Sequence, residues 1–288
     1  IISGSDLLNA TWTKCDASCG PNWTNLYQAN IESKYTYENM DLLDNTGFLF
    51  IAQDPNMSDP FWSDNISEFR TVKKENLTLT TIKDSVFINQ ADPNYYKNAY
   101  VSVWVNPNVI ATKKITGYNP STNTITFAEL GSQSLYGDRD QYYSIINALS
   151  TLDRPGEYYF DEPNHKIILW PKGPLDTVEV SNRQDGIVYA GHNDFTIDGF
   201  LIEKMTGNTG ANSIRGTCCQ SNQNITIKNN EVRYTRLRGA GNPGTIYLSY
   251  SNYTNVYDNN IHDNETTGVL VGKTTNVMRN IFYRNGYK

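Results

Sequence analysis

The sequence predicts an all-β fold, a right-handed parallel β-helix (a solenoid) with a small antiparallel β module inserted into it. Short apolar segments recur in the C-terminal third, and turns containing Gly or Asn separate them. The anchors Ile197, Ile227, Val256 and Val277 stand 30, 29 and 21 residues apart. Units of this length bury their apolar side against neighbouring units, as solenoid coils do. The composition agrees, since charged residues make up only 19% of the chain and Asn, Thr, Ser, Tyr and Gly are abundant.

Three of the repeats share a strand, an Asn and a second apolar anchor, and a fourth repeat has Phe200 in the place of the Asn. The four repeats lie at 195–202, 225–232, 254–261 and 277–282. Because neighbouring strands of a sheet lie about 4.8 Å apart, Asn230, Asn259 and Asn280 are predicted to stack, each side-chain amide bonding the next coil. A second strand recurs between these segments, at 186–189, 244–248 and 268–272.

The middle of the chain has a different pattern. Residues 68–135 alternate apolar and polar positions between Asn-Pro turns, which predicts the inserted antiparallel module. Gln141–Leu152 is the best helix candidate, and Tyr158–Trp170 is predicted to form a hairpin. The predicted organisation is an N-terminal part of the β-helix at 1–67, the module at 68–135, a helix and hairpin at 136–180, and regular coils at 181–288.

Charge and hydropathy exclude two classes of partner. The formal net charge is −6, and Lys and Arg form no cluster. Nucleic acid is therefore not expected as a partner, since its binding needs a basic surface. No apolar run approaches the ~18 to 20 residues that span a bilayer, so no membrane insertion is expected.

The cysteines and the first residues predict a secreted or cell-surface protein. The chain opens at Ile1 without a Met, so a removed signal peptide or a trimmed start is expected. The four cysteines form two close pairs without zinc-type spacing, Cys15 with Cys19 and Cys218 with Cys219. Disulfides in an oxidising compartment are the better interpretation. Three pairings are open, and bonds that join the two regions are slightly favoured.

Eight Asn-X-Ser/Thr triplets suit a glycosylated surface protein, although an Asn- and Thr-rich chain also produces such triplets by chance. The predicted glycosylation sites are Asn9, Asn22, Asn56, Asn65, Asn76, Asn224, Asn252 and Asn264.

One stretch of the chain resembles a known group of proteins. The segment LDRPGEYYFD at 152–161, followed by KIILWP at 166–171, is similar to a segment of secreted right-handed β-helix glycoside hydrolases and related polysaccharide-lyase-like proteins. The elements ISG at 2–4 and AQDPN at 52–56 also resemble that group. The resemblance implies a β-helix that acts on polysaccharide, by hydrolysis or by elimination. The paired acidic calcium ligands with following Lys and Arg that mark its alginate and chondroitin lyases have no counterpart in this sequence.

The repeats predict a column of candidate catalytic residues. If Ile202 and its equivalents point inward, the next residue of each coil points outward. That column consists of Glu203, Arg233, His262 and Tyr283. For elimination, a His or Tyr could take the C5 proton while Arg233 neutralises a uronate carboxylate. For hydrolysis two carboxylates are needed, and Glu203, Glu231, Asp258 and Asp263 are the acids near this face.

Further residues are candidates for substrate binding. Arg236 and Arg238 lie in a Gly-rich loop, and Tyr257 offers a ring for sugar stacking. No metal site and no cofactor are predicted, with calcium kept as an open alternative through scattered Asp and Asn oxygens.

Each of these candidates also has a purely structural explanation. Glu203 with Arg233 could be a cross-strand ion pair, and His262 with Tyr283 a surface stack, each contributing under about 1 kcal/mol. The matching functional alternative is a non-catalytic extracellular scaffold or adhesin that stacks end to end. The observation that suggests this alternative is that the sequence stops directly after a coil strand, so that an uncapped last coil could pair with another chain.

Overall fold

The computed structural model describes residues 1–58, 66–106, 109–131, 135, 139–208, 210–220, 222–237 and 244–286. The strands in chain order are β1 Ile2–Ser3, β2 Ser5–Leu7, β3 Thr13–Lys14, β4 Tyr27–Asn30, β5 Asp41–Asp44, β6 Gly47–Phe48, β7 Phe50–Ile51, β8 Gln53–Asp54, β9 Arg70–Val72, β10 Thr81–Lys83, β11 Tyr100–Asn106, β12 Val109–Asn119, β13 Thr124–Phe127, β14 Gln141–Ile146, β15 Glu157–Asp161, β16 Lys166–Leu169, β17 Glu179–Ser181, β18 Asp185–Tyr189, β19 Phe195–Asp198, β20 Leu201–Glu203, β21 Thr206–Gly207, β22 Asn212–Gly216, β23 Ile225–Lys228, β24 Glu231–Arg233, β25 Arg236–Leu237, β26 Gly244–Tyr247, β27 Asn252–Tyr257, β28 Asn260–Asn264, β29 Thr267–Leu270, β30 Lys273–Met278 and β31 Ile281–Asn285.

The helical elements within the described ranges are single 3-10 turns. They are Ala17–Cys19, Trp23–Asn25, Ile66–Glu68, Lys74–Asn76, Leu149–Thr151, Glu162–Asn164 and Leu175–Thr177. Among the residues that the structure describes, none of these helices has the length and apolar character needed to cross a bilayer.

The chain divides into two compact units. Unit 1 comprises Ile1–Asn9, Lys34–Phe48 and Asp176–Lys288, and unit 2 comprises Ala10–Ser33 and Leu49–Leu175. These divisions fall at other points than the predicted ranges 1–67, 68–135, 136–180 and 181–288, because the first third of the chain contributes segments to both units.

Unit 1 is built on three parallel sheets. Sheet A has the order β1-β20-β24-β28-β31, sheet B the order β19-β23-β27-β30, and sheet C the order β18-β22-β26-β29. Each coil adds one strand to each sheet, so the chain advances by one strand spacing per coil. A two-stranded parallel sheet, β21-β25, and a short antiparallel sheet, β2-β17-β5-β6, belong to the same unit.

The predicted anchors form the core of these coils. In sheet A, Ile202 pairs with Val232 and Val232 with Ile261, and all three side chains are fully buried. In sheet B, Ile227 lies between Ile197 and Val256 in the same way. Alternation across each strand therefore turns the neighbouring residues outward, as predicted.

The predicted Asn stack is confirmed. Asn230 Nδ2 donates to Asn259 Oδ1 at 3.0 Å, and Asn259 Nδ2 donates to Asn280 Oδ1 at 2.9 Å. The backbone N–H of Phe200 donates to Asn230 Oδ1 at 2.9 Å, so Phe200 occupies the corresponding position of the preceding coil. We call Asn230, Asn259 and Asn280 the Asn ladder.

Left-handed residues form the corners of the coils. Gly199, Asn229, Asp258 and Arg279 precede the ladder position in successive coils, with φ of 75°, 55°, 57° and 53°. A single left-handed residue turns the strand sharply, and Asn, Asp and Gly tolerate this conformation best. Two further corner columns have the same conformation: Asp194, Asn224, Tyr253 and Thr274, and Lys204, Tyr234, Asp263 and Arg284.

Unit 2 is mainly antiparallel. One sheet has the order β10-β13-β12-β11-β14-β8, with β9 also paired to β14, and a second has the order β3-β4-β16-β15-β7. The first sheet covers an apolar core that includes Val101, Val103, Tyr143 and Ile145. The antiparallel pairing predicted within 68–135 is present between β11, β12 and β13.

The predicted helix over Gln141–Leu152 is wrong, and the predicted hairpin is present. Gln141–Ile146 is strand β14, which pairs with β11, and a single 3-10 turn follows at Leu149–Thr151. Tyr and Ile in this segment favour strands, and a partner strand on each side outweighs any helical pattern. β15 and β16 form the hairpin, which turns at left-handed His165.

The disulfides are local. Cys15 bonds Cys19 in unit 2, and Cys218 bonds Cys219 in unit 1. The favoured expectation of bonds joining the two regions is therefore wrong. The bonded cysteines are four residues apart in the first pair and adjacent in the second, so neither disulfide links the two regions.

Candidate active site on the outer face of sheet A

The predicted outward column is assembled by the register of sheet A. Glu203 pairs with Arg233, Arg233 with His262, and His262 with Tyr283. The first three of these residues directly follow a fully buried anchor, so the strand alternation directs them to the outer face, whereas Tyr283 follows Phe282, which is 45% exposed. The placement of all four residues follows the prediction, whereas their chemical roles remain predictions.

Arg233 joins two carboxylates on this face. Its Nε lies 2.7 Å from Glu203 Oε2, and its Nη1 lies 2.9 Å from Glu231 Oε1. Partial burial works against the charge of Arg233, yet the hydrogen bond to Glu203 and the two nearby carboxylates outweigh it and raise its pKa above the usual range. Glu231 shares the face with Arg233 because the two residues are two positions apart in β24.

His262 lies between two acids. Its Nδ1 is 2.7 Å from Asp263 Oδ2, and its Nε2 is 3.4 Å from Glu231 Oε1. The Tyr283 ring stacks on the imidazole with centroids 4.5 Å apart and planes 7° from parallel. The contact with Asp263 orients the imidazole so that its Nε2 faces Glu231.

The charged contacts continue into the neighbouring coils. Lys204 Nζ lies 3.4 Å from Glu203 and 2.9 Å from Glu179, and Arg284 Nε lies 2.5 Å from Asp263. Acidic and basic groups thus alternate along the face. We call the set Glu179, Lys204, Glu203, Arg233, Glu231, His262, Asp263 and Arg284 the charged row.

The side chains of the charged row differ in accessibility. Glu231 is 40% exposed, whereas Glu203 and His262 are each 8% exposed. Glu231 is therefore the carboxylate that a bound molecule can reach. Glu203 and His262 lie beneath it, in contact with Arg233 and with Glu231 respectively.

The candidate substrate-binding residues do not join the charged row. Arg236 is largely buried, with Nη1 3.1 Å from Asp41 and Nε 3.1 Å from Glu265. Tyr257 lies on sheet B, where the Arg279 guanidinium stands 5.4 Å from its ring centroid. Arg238 lies outside the described residues.

The repeat pattern does not predict two of the ion-pair partners that the structure shows, Asp41 and Lys204. Asp41 lies far from Arg236 in the chain, and no spacing rule connects them. Lys204 occupies a left-handed corner, where alternation along a strand no longer tells the direction of a side chain. Glu231 and Asp263 were recognisable as acids near the face, but their contacts with Arg233 and His262 depend on the corner geometry.

The sequons differ in accessibility. Asn9, Asn56 and Asn224 are exposed, whereas Asn22, Asn76 and Asn252 are half-buried, and Asn65 lies outside the described residues. Asn264 is fully buried, and its Nδ2 donates to Asn285 Oδ1 at 2.8 Å and to His262 O at 2.9 Å. The prediction for Asn264 is wrong, because a glycan on this amide would break a second Asn contact between coils.

Metal ligands are not grouped in the part of the chain that the structure describes. No group of three His, Cys, Asp or Glu side chains with metal-binding geometry occurs there.

The stacked parallel sheets, the buried anchors and the Asn ladder define the coiled part of unit 1 as a parallel β-helix. Residues 167–288 match the family model described as "Right handed beta helix region". A solved structure titled "Glycoside hydrolase" has a similar fold, with a TM-score of 0.61 and 10% sequence identity over 93% of this chain and 60% of that chain. No curated protein is matched by the sequence. At this identity the similarity shows the fold, and it confirms the predicted resemblance to right-handed β-helix proteins.

Proposed function

We propose that the protein is an extracellular, polysaccharide-active β-helix solenoid that hydrolyses glycosidic bonds on the outer face of sheet A. The observation that carries the proposal is the contact chain Glu231–His262–Asp263, in which a carboxylate that is 40% exposed faces an imidazole whose other nitrogen contacts a half-buried acid. Base and orienting partner stand in the relation that acid–base catalysis requires. The similarity in fold to a glycoside hydrolase supports a carbohydrate as the substrate.

Hydrolysis requires two carboxylates near the scissile bond. Glu203 and Glu231 sit diagonally on adjacent strands, a placement in which residues lie about 7–8 Å apart. Both carboxylates contact Arg233, at 2.7 and 2.9 Å, so their carboxyl groups lie close together, as the roughly 5 to 10 Å separation used by glycoside hydrolases requires. Glu203 contacts the Lys204 ammonium and the Arg233 guanidinium, while Glu231 contacts Arg233 and the His262 imidazole.

Elimination fits the geometry less well. It needs a cation that neutralises the uronate carboxylate of the substrate. Arg233, the predicted candidate, already binds Glu203 and Glu231. The predicted lyase roles of Arg233 and Tyr283 therefore have weaker support than hydrolysis by the acids.

The test is incubation of the purified chain with a panel of polysaccharides, following both reducing ends and the absorbance of unsaturated products. We expect reducing ends without unsaturated products, and a loss of roughly 100-fold or more in rate for Glu231→Gln. Asp258→Asn is the matched control: the sequence predicted Asp258 near this face, but the structure places it at a left-handed corner outside the charged row, where it pairs with Arg279. Unsaturated products would replace hydrolysis with elimination.

The second candidate is a non-catalytic scaffold or adhesin at the cell surface. The observation in its favour is that the acids and bases of the charged row are mutually paired, as in a structural ion network. Absence of cleavage across the panel, together with a concentration-dependent increase in sedimentation coefficient, would favour this candidate.

A further inference from the structure

We propose that the site on sheet A selects uncharged glycans and discriminates against uronates, an inference that rests on the proposed function and names its substrate class. The starting point is the charge of the charged row. Four carboxylates, Glu179, Glu203, Glu231 and Asp263, face three cations, Lys204, Arg233 and Arg284. With His262 neutral, the formal charge of the row is −1.

The cations of the row are already engaged. Arg233 binds Glu203 and Glu231, Lys204 binds Glu179 and Glu203, and Arg284 binds Asp263. A uronate carboxylate would have to displace one of these acids or share its cation. Like charges brought together in this way oppose binding.

The most accessible carboxylate of the charged row offers hydrogen-bond acceptors. Glu231, the most exposed acid of the site, offers carboxylate oxygens, which accept hydrogen bonds and donate none when ionised. Sugar hydroxyl groups donate to such acceptors, whereas a uronate adds a further acceptor at the same place.

The two substrate classes can be compared on a single backbone. Neutral glucans and galactans are tested beside the same polymers after selective oxidation of C6 to a carboxylate, so that linkage and ring stereochemistry stay constant. We expect kcat/KM for the neutral form to exceed that for the oxidised form by about tenfold or more, equivalent to ~1.4 kcal/mol. Higher salt should narrow the difference, because screening weakens the repulsion.

A binding experiment separates charge from catalysis. Glu231→Gln keeps the shape of the side chain and removes its charge, so it should bind neutral and oxidised oligosaccharides with affinities within about threefold of each other, although it no longer cleaves them. Asp258→Asn should keep the discrimination of the unmodified protein.

The outcomes distinguish the inference from the proposed function. Preferred cleavage of the oxidised polymers would overturn the inference and leave hydrolysis in place. Selective binding of neutral oligosaccharides without cleavage would sustain the inference and overturn hydrolysis. Binding of neither form would overturn both.

Discussion

The two units bury polar groups in different ways. In unit 1 the Asn ladder repeats one amide contact from coil to coil, and Asn230 and Asn259 are each 2% exposed. In unit 2 the buried polar contacts do not repeat along the fold, as with the hydroxyl of Tyr143 on Asp84 at 2.8 Å and the contact of Glu157 with Arg154 at 3.0 Å. A ladder side chain joins the coils on both sides of it, whereas each of these contacts in unit 2 joins one pair of residues. Removing one polar side chain should therefore lower the free energy of unfolding more in the Asn ladder of unit 1 than in unit 2.

The largest effect on stability is expected for Asn259→Ala. The Asn259 amide donates to Ile227 O, Tyr257 O and Asn280 Oδ1, and its Oδ1 accepts from Asn230. Its loss leaves several buried groups unpaired, so the free energy of unfolding should fall by about 3 kcal/mol or more. Amide hydrogen exchange of β24 and β28 would measure this.

An exposed amide of the same unit provides the control for the ladder. Asn255 lies on the outer face of sheet B and accepts from Asn276 at 2.9 Å. Asn255→Ala should lower the free energy of unfolding by under about 1 kcal/mol. An equal loss in the free energy of unfolding for the two substitutions would contradict the claim that the Asn ladder stabilises the coils.

A pH-dependent effect is expected in unit 2. Burial raises the pKa of Glu157 from 4.5 to about 7, and nearby Arg154 only partly opposes the shift. The folded state therefore binds a proton that the unfolded state has released between these values, and stability should decrease as pH rises from 4.5 to 7. The decrease should amount to at most about 3 kcal/mol.

Tryptophan fluorescence can follow this transition, because all five Trp residues lie in the segments that form unit 2. Glu157→Gln should flatten the pH dependence of the unfolding midpoint, and exposed Glu75→Gln should leave it unchanged. An identical slope in Glu157→Gln would show that another group titrates.

The smallest effect is expected for Tyr143→Phe. The substitution removes the donor to Asp84 Oδ2, while the Val86 and Phe87 amides still bond Oδ1 at 2.9 and 3.2 Å. The expected cost is about 1–2 kcal/mol in the fluorescence-detected transition. Tyr142→Phe, on the half-buried side of the same strand, should cost about 0.5 kcal/mol or less. A cost for Tyr143→Phe as large as that of Asn259→Ala would remove the contrast between the units.

The same contrast explains what the sequence could predict. The period of the anchors places Ile202, Val232 and Ile261 in one core column, and from them the outer column of Glu203, Arg233 and His262 follows by alternation alone. In unit 2 no repeat constrains the secondary-structure prediction, so the helix predicted over Gln141–Leu152 is a strand, β14, over Gln141–Ile146. Its conformation is set by partner strands that are distant in the chain.

Contacts made at corners and between distant segments were also beyond sequence reasoning. Asp263 turns towards His262 because it occupies a left-handed corner. Arg236 pairs with Asp41, which belongs to an early segment that joins unit 1. The sequon at Asn264 has the correct triplet, but only the structure shows that its amide is used between coils.

The most direct test of the account is the rate of reducing-end release from neutral polysaccharides by the unmodified protein, Glu231→Gln and Asp258→Asn at equal concentration. We expect hydrolysis by the unmodified protein and by Asp258→Asn. For a folded Glu231→Gln we expect the rate to fall by roughly 100-fold or more. Equal rates for all three proteins would show that the outer face of sheet A is not the catalytic site.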